Sequence, residues 1–217
     1  LVTSNNVGKV NNSGPRVGFS IMSGSVHEFA TRSEAKGGLD MFPAVSMIGY
    51  QFEAQYVGTE KFSALGEIIF NISGLEQGKF IPTITLLNGF RFGDAGWEFA
   101  FGPGFGLKKI QDGFFDTNAE FGDKDEYYSR NDWAEYATEA YGDSSQYPEY
   151  VNQWGGFTAP QLEDVSGYEY TDQADSRGRT VISTSFLMAF GRTFRAGALN
   201  IPVNVFYSAR KKGGFIG

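Results

Sequence analysis

From Trp97 to Leu107 the chain alternates between bulky and small residues. Trp97, Phe99, Phe101, Phe105 and Leu107 occupy one set of alternate positions, and Glu98, Ala100, Gly102, Gly104 and Gly106 the other. Successive side chains of a strand point to opposite faces, so a strand here has one apolar face and one nearly empty face. A soluble sheet covers its apolar face with a core and turns a polar face to water. The second face here is too small and too rich in glycine to serve as a solvated surface. It fits the inside of a narrow closed barrel whose aromatics face lipid.

Composition agrees. The 217 residues suffice for one full core or one closed barrel, and the 21 Phe, 11 Tyr and 29 Gly favour strands and tight turns over helices. No apolar run approaches the ~20 residues of a transmembrane helix. The mean hydropathy of -0.28 does not exclude a membrane barrel, whose strands are only half apolar. Cysteine is absent, which removes disulfides, thiol catalysis and zinc–thiolate sites. The net charge of -7, with no basic stripe, argues against a nucleic-acid partner.

The same alternation recurs along the chain. Residues 1–14 are polar and read as a periplasmic linker or entry segment, and residues 15–217 as the barrel. The predicted strands are Arg16–Met22, Phe42–Tyr56, Phe62–Ser73, Phe80–Phe92, Trp97–Ile110, Arg179–Phe194 and Ile201–Arg210, with an eighth beginning after Gly213. Tight turns are read at 58–60, 93–96 and 196–198. Longer connections follow strands one, three and five, with a polar loop at 23–40 and a long insertion at 111–178. Short turns at one end and long loops at the other are the asymmetry of outer-membrane barrels, which places both termini in the periplasm and the long loop outside. Pro43, Pro82 and Pro202 sit near strand starts, while Pro103 lies inside strand five and predicts a bulge. No signal peptide stands at Leu1, so the expectation is a cleaved leader or a start part-way along a precursor. Residues 214–217 begin like a strand, too short to cross ~25 Å of hydrocarbon.

In this phase the inward charges are Arg16, Glu53, Glu67, Arg91, Glu98 and Arg210, all but Arg210 near the tight-turn end. Unpaired charges at such depth are costly, so they predict a salt-bridged polar network that plugs the interior. Arg192 falls on the outer face, close enough to a turn to reach the interface.

The insertion holds most of the acid, opposed only by Lys124, Arg130 and Arg177, and is rich in Tyr and Trp. A disordered solvating tract would have few aromatics, so a folded extracellular subdomain is expected. Ser129-Arg130-Asn131-Asp132 reads as a helix start, with a short helix over Trp133–Ala140. Tyr127, Tyr128, Trp133, Tyr136, Tyr141 and Trp154 are the candidates for partner or glycan contact. Asp116, Asn118 and Glu120 alternate like the oxygen ligands of a calcium loop, although Phe121 stands where its glycine belongs. No other cofactor is suggested. The single histidine, His27, stands near Ser25 and Glu28, which leaves room for a lipid-modifying barrel enzyme.

Strand style and loop asymmetry resemble the small eight-stranded outer-membrane barrels of Gram-negative bacteria. Gly49-Tyr50-Gln51-Phe52-Glu53, Gly74-Leu75-Glu76-Gln77-Gly78 and Gly96-Trp97-Glu98-Phe99 are similar to barrels of the Bacteroidota. The resemblance covers roughly residues 15–110 and 179–217. It implies an outer-membrane location amid lipid and lipopolysaccharide. It also implies a non-enzymatic, porin-like, structural or accessory subunit of an envelope machine for secretion, protein insertion or nutrient uptake, with other outer-membrane subunits as partners. The fold class expected is all-β: an eight-stranded antiparallel up-and-down transmembrane barrel with one long extracellular insertion. Two alternatives stand beside it, a lipid-modifying barrel enzyme and a soluble, lipocalin-like carrier. The carrier would turn bulky apolar side chains inward.

Overall fold

The computed structural model describes residues 11–59, 61–93, 96–196 and 199–217. Most of the entry segment, and residues 60, 94–95 and 197–198 of the predicted turns, lie outside the described residues. Among the described residues the long strands are β1 (Gly14–Gly24), β2 (Ala44–Gly58), β3 (Phe62–Ser73), β4 (Ile81–Phe92) and β5 (Trp97–Asp116). A short β6 (Glu126–Ser129) and β7 (Thr171–Ala174) follow, then β8 (Arg179–Ala196), β9 (Leu199–Arg210) and β10 (Gly213–Ile216). The helices are α1 (Ser25–Thr31), α2 (Arg130–Tyr141) and α3 (Leu162–Val165).

All ten strands join one predominantly antiparallel sheet. Its hydrogen-bonded neighbours run β4-β3-β2-β1-β10-β9-β8-β5-β6, β7 also pairs with β5, and β4 and β5 pair with each other as well. The chain divides into two compact units. Of the described residues, one comprises those up to Arg32, Leu39–Lys108 and Val181–Gly217; the other comprises Ser33–Gly38 and Lys109–Thr180.

In the first unit the usual sorting of side chains is reversed. On β2, Phe52 is 52% exposed and its neighbour Gln51 is 3% exposed. On β3, Ile68 and Phe70 are exposed while Ser63 and Glu67 are buried. On β4 and β5, Ile84, Leu86, Trp97 and Phe99 are exposed while Thr85, Arg91 and Glu98 are buried. The same alternation on β8 exposes Phe186, Met188 and Phe190 and buries Ser183 and Thr193. Glycine on the buried face makes room for its neighbours' polar groups. A Cβ at Gly89 would lie 2.1 Å from a Glu67 carboxylate oxygen, and one at Gly49 would lie 2.1 Å from the Asn71 Oδ1. Away from the tight turns the buried face becomes apolar, where Met22, Ala30, Met41 and Val45 cluster with Phe215 and seat α1.

Several boundaries differ from the sequence reading. Strand five continues past Ile110 to Asp116, because its second half finds new partners in β6 and β7. Those two strands raise the count above eight. The polar loop at 23–40 contains α1 and a 3-10 turn at Glu34–Lys36. Pro103 makes no bulge: the ladder skips Leu86–Leu87 against Gly102–Pro103, and the register resumes unchanged on either side. The register shift lies elsewhere, between Gln55 and Val57 of β2.

Candidate functional site

Two constellations stand out, one in each unit. In the first unit, register places Arg91 of β4 opposite Glu98 of β5 and opposite Ser63 of β3. Arg91 Nε donates to Glu98 Oε1 at 2.8 Å. Its Nη1 and Nη2 donate to the two Glu53 carboxylate oxygens at 3.2 and 2.9 Å, a bidentate fork. Glu98 also accepts from Asn12 Nδ2 at 3.0 Å and from the Thr193 hydroxyl. Asn12 Nδ2 reaches Thr193 Oγ1 as well, at 2.7 Å.

A second string runs beside the first. Arg16 Nε donates to Gln51 Oε1 at 2.9 Å, and Gln51 Nε2 donates to Glu67 Oε2 at 3.2 Å. Glu53, Arg91 and Glu98 are thus joined directly, and Arg16 and Glu67 meet through Gln51. Arg210 stands apart, with its guanidinium 5.1 Å from the Phe215 ring. A cavity of about 300 Å³ has Arg16, Glu67, Glu98 and Arg210 in its lining. Gln51 and Thr193 share the inward phase of the predicted charges, so alternation could have added them to the network. Asn12 could not have been found so, because it lies in the polar segment before β1. Arg192 lies over the rings of Trp97 and Phe194, on the apolar face as predicted.

In the second unit, Phe114, Tyr128, Trp133, Ala137 and Leu162 form an apolar core, with Phe121, Tyr136 and Tyr168 packed against it. Phe114 stacks on Tyr128 at 5.5 Å and on Tyr168 at 5.2 Å, and Trp133 Nε1 donates to the Pro160 carbonyl at 3.2 Å. The α2 helix is fixed by a capping box in which Ser129 accepts from Asp132 N and Asp132 accepts from Ser129 N.

Two buried carboxylates organise the surrounding loops. Asp116 accepts from the backbone N–H groups of Glu120, Phe121 and Gly122 at 2.8, 2.7 and 3.1 Å, and from the Tyr168 hydroxyl at 3.0 Å. Burial pushes the Asp116 carboxyl up, and these donors more than reverse it, leaving it below the ordinary range. Asp175 accepts from the Tyr127 hydroxyl, from Arg177 N and from the Arg177 guanidinium. The same guanidinium forks onto Asp132 at 3.0 and 2.8 Å and donates to the Ala35 carbonyl at 3.0 Å. Asp132 and Asp175 are likewise held low, burial being outweighed by Arg177, whose own value is raised by them. Gly37 (φ 75°) presses on Asp175, where a Cβ would lie 2.5 Å from its carboxyl atoms, and its carbonyl accepts from Ser176 N at 2.8 Å. Lys36 pairs with Glu126. Residues 33–38 therefore belong with the insertion, a partnership with no local signal.

The predicted site residues of this unit differ in exposure. Of the contact candidates, Tyr127, Tyr128 and Trp133 are buried, as large rings in a small folded unit tend to be. Tyr136 is partly covered by the same core. Tyr141 packs with Tyr147 and Tyr150 at 5.2 and 5.7 Å as a half-exposed cluster. Trp154 is 86% exposed. It tops a small turn in which Asn152 Oδ1 accepts from Trp154 N and Gly156 N, both at 2.9 Å, closed by the Val151–Phe157 bridge. The calcium candidates Asp116, Asn118 and Glu120 make polar contacts within this unit. Asp116's oxygens face N–H and O–H donors, and Asn118 Nδ2 donates to Glu120 Oε1 at 3.0 Å. Among the described residues no group of three His, Cys, Asp or Glu side chains is placed to hold a metal. His27 is exposed on α1, and its carbonyl accepts from the Thr31 hydroxyl.

Comparison of the chain with protein-family models, with curated proteins and with solved structures finds no match.

Proposed function

We propose that the eight long and edge strands β1–β5 and β8–β10, without β6 and β7, close into an antiparallel barrel that spans the outer membrane of a Gram-negative cell. The reading makes the protein a non-enzymatic accessory subunit of an envelope assembly. The observation that carries it is the reversed sorting: bulky apolar side chains on the exposed face, polar and charged ones inside. In water such a surface would be an aggregation hazard; in lipid it is the stable arrangement. The β4–β5 pairing supports closure, since it joins the two ends of the strand path and leaves no edge there. The Arg91-centred network fills the interior as structural ballast, in keeping with a barrel of eight strands too narrow for a water-filled pore.

The insertion is the recognition element of this reading. It is a folded unit with its own aromatic core, and it displays Trp154 on a hydrogen-bonded turn and carries the half-exposed Tyr141–Tyr147–Tyr150 cluster. Exposed aromatics on an ordered, acidic scaffold suit a protein or glycan partner, where they would supply contact area at little entropic cost. The lipocalin-like alternative needs bulky apolar side chains inside, which the burial of Gln51, Glu67, Arg91 and Glu98 disfavours.

The test is purification from outer membranes in mild detergent, with mass spectrometry of what accompanies the protein. Stoichiometric envelope proteins, lost on deletion of 111–178, are expected. Recovery from the soluble fraction would overturn the membrane reading, and a lone barrel would overturn the accessory role.

A further inference from the structure

Of the inward charges, Arg16, Glu53, Glu67, Arg91 and Glu98 each have a polar side-chain partner, and Arg210 has none among the described residues. Its Nε is buried without an acceptor, and its guanidinium carbon lies 5.1 Å from the centre of the Phe215 ring. The guanidinium reaches across the interior to the glycine face of β5, where a Cβ at Gly106 would lie 3.9 Å from Nη2. A buried cation whose N–H donors find no acceptor is costly, so this one calls for a counter-ion. The cavity of about 300 Å³ lies beside it, inside the first unit, with residues of β1–β5 and β8–β10 in its lining. That lining changes character along the strands. Hydroxyl residues Thr83, Ser185 and Ser208 line the end that Arg210 occupies. One or two inward positions nearer the tight turns it becomes apolar, at Ile69, Leu87 and Leu187. At the far end Arg16 is accompanied by the carboxylates of Glu67 and Glu98.

We propose that this chamber binds a single-chain carboxylic acid as its anion, with the carboxylate on Arg210 and the chain along Ile69, Leu87 and Leu187. The proposal rests on the barrel reading above and adds a ligand to it. A guanidinium fork matches the two oxygens of a carboxylate, and such a charge-assisted pair is strongest away from water. The head lies at Arg210 and not at Arg16, because Glu67 and Glu98 at the Arg16 end would repel a second anion. Thr83, Ser185 and Ser208 supply further O–H donors at the head end. The chain then meets the apolar part of the lining, which a free inorganic anion would leave unused. Size limits the length of that chain. An engineered apolar cavity of about 150 Å³ holds one benzene, so a chamber of about 300 Å³ takes roughly a dozen non-hydrogen atoms. Decanoate is of that size, and a phospholipid with two acyl chains is far too large.

The experiment measures uptake of radiolabelled decanoate near neutral pH, by equilibrium dialysis of the full chain in non-ionic detergent against empty micelles of the same detergent. About one decanoate per chain above the empty micelles is expected. Decanol, which lacks the charge, and acetate, which lacks the chain, should each compete at least about tenfold more weakly. These two arms need no variant. Arg210→Met should weaken uptake by about tenfold or more, and Leu187→Trp should block it by filling the chamber while leaving the guanidinium in place. Each variant is compared once its far-ultraviolet circular dichroism matches that of the parent, and if one fails to fold the other decides. No uptake beyond that of empty micelles would overturn the proposal. So would competition by decanol or acetate as strong as by decanoate itself, or uptake unmoved by Arg210→Met or by Leu187→Trp. A chain that needs no detergent sinks the barrel reading itself. One that needs detergent but takes up no decanoate sinks the chamber alone.

Discussion

Arg91 and Glu98 are register partners across the β4–β5 pair, and Arg91 Nε meets Glu98 Oε1 at 2.8 Å. The other side of the same guanidinium forks onto Glu53, so one cation holds two buried carboxylates from two other strands. Its removal leaves both uncompensated. Arg91→Met is expected to destabilise the detergent-solubilised protein by about 3–5 kcal/mol, measured by thermal or denaturant unfolding. Adding Glu53→Gln and Glu98→Gln to it should recover much of the loss, since the three groups form one network. If Arg91→Met unfolds like the parent, the network does not hold the wall together.

The outer face makes a sharper test of environment. Phe70 of β3 is 45% exposed and pairs with Tyr50 near the middle of β2. In water an exposed Phe→Arg change typically stays within about 0.5 kcal/mol. On the lipid face of a barrel, arginine near the midplane costs about 2–4 kcal/mol and less toward the interfaces. Phe70→Arg should therefore lower stability in lipid vesicles by the larger amount, and Val57→Arg, near the tight-turn end of β2, by clearly less. Equal and small effects would place these residues in water.

Alternation made the strands and the side that each residue faces legible, because a period of two leaves no freedom once one face is chosen. It placed Glu53, Glu67, Arg91 and Glu98 on one face and Phe52, Phe70 and Phe99 on the other. The Ser129 capping box was legible because its contacts span three residues. What could not be read depended on distant pairings. Arg177 binds Asp132 and the carbonyl of Ala35, Ser176 bonds Gly37, and Asn12 reaches Thr193. Aromatic content likewise pointed to a folded insertion without distinguishing core rings from displayed ones. Trp133 and Trp154 have similar surroundings in the sequence, and only the packing of Phe114, Phe121 and Leu162 around the former separates them.

That separation gives paired expectations. Trp133→Ala removes a ring that is 3% exposed and touches Phe114 and Phe121, so it should destabilise the insertion by about 3–5 kcal/mol. Trp154→Ala should change stability by no more than about 0.5 kcal/mol while weakening capture of the partner by about 2 kcal/mol or more, as an exposed anchor does. Near-ultraviolet circular dichroism and co-purification report the two effects separately. Undiminished co-purification of Trp154→Ala would remove this tip from the contact surface.

The insertion should also carry an acid limit set by its buried and half-buried aspartates. In the folded protein the carboxyls of Asp116, Asp132 and Asp175 lie below their ordinary value near 3.8, because backbone, Tyr168 and Arg177 donors outweigh burial. A carboxyl depressed by folding binds its proton more readily in the unfolded chain. Its stabilisation is therefore fully present above about pH 5, declines as pH falls through the unfolded value, and is gone below the folded one. Near-ultraviolet ellipticity, dominated by the stacked rings around Phe114, should hold constant from neutral pH down to about 5 and collapse below about 4. Arg177→Met removes the donors from Asp132 and Asp175 together and leaves Asp175 buried with only Tyr127 and its local backbone N–H. The collapse should then begin at a higher pH than in the parent, while Arg179→Met, which removes an exposed pair with Asp172, should leave the acid midpoint where it was. An unmoved midpoint in Arg177→Met would mean that the clasp contributes nothing to the acid limit.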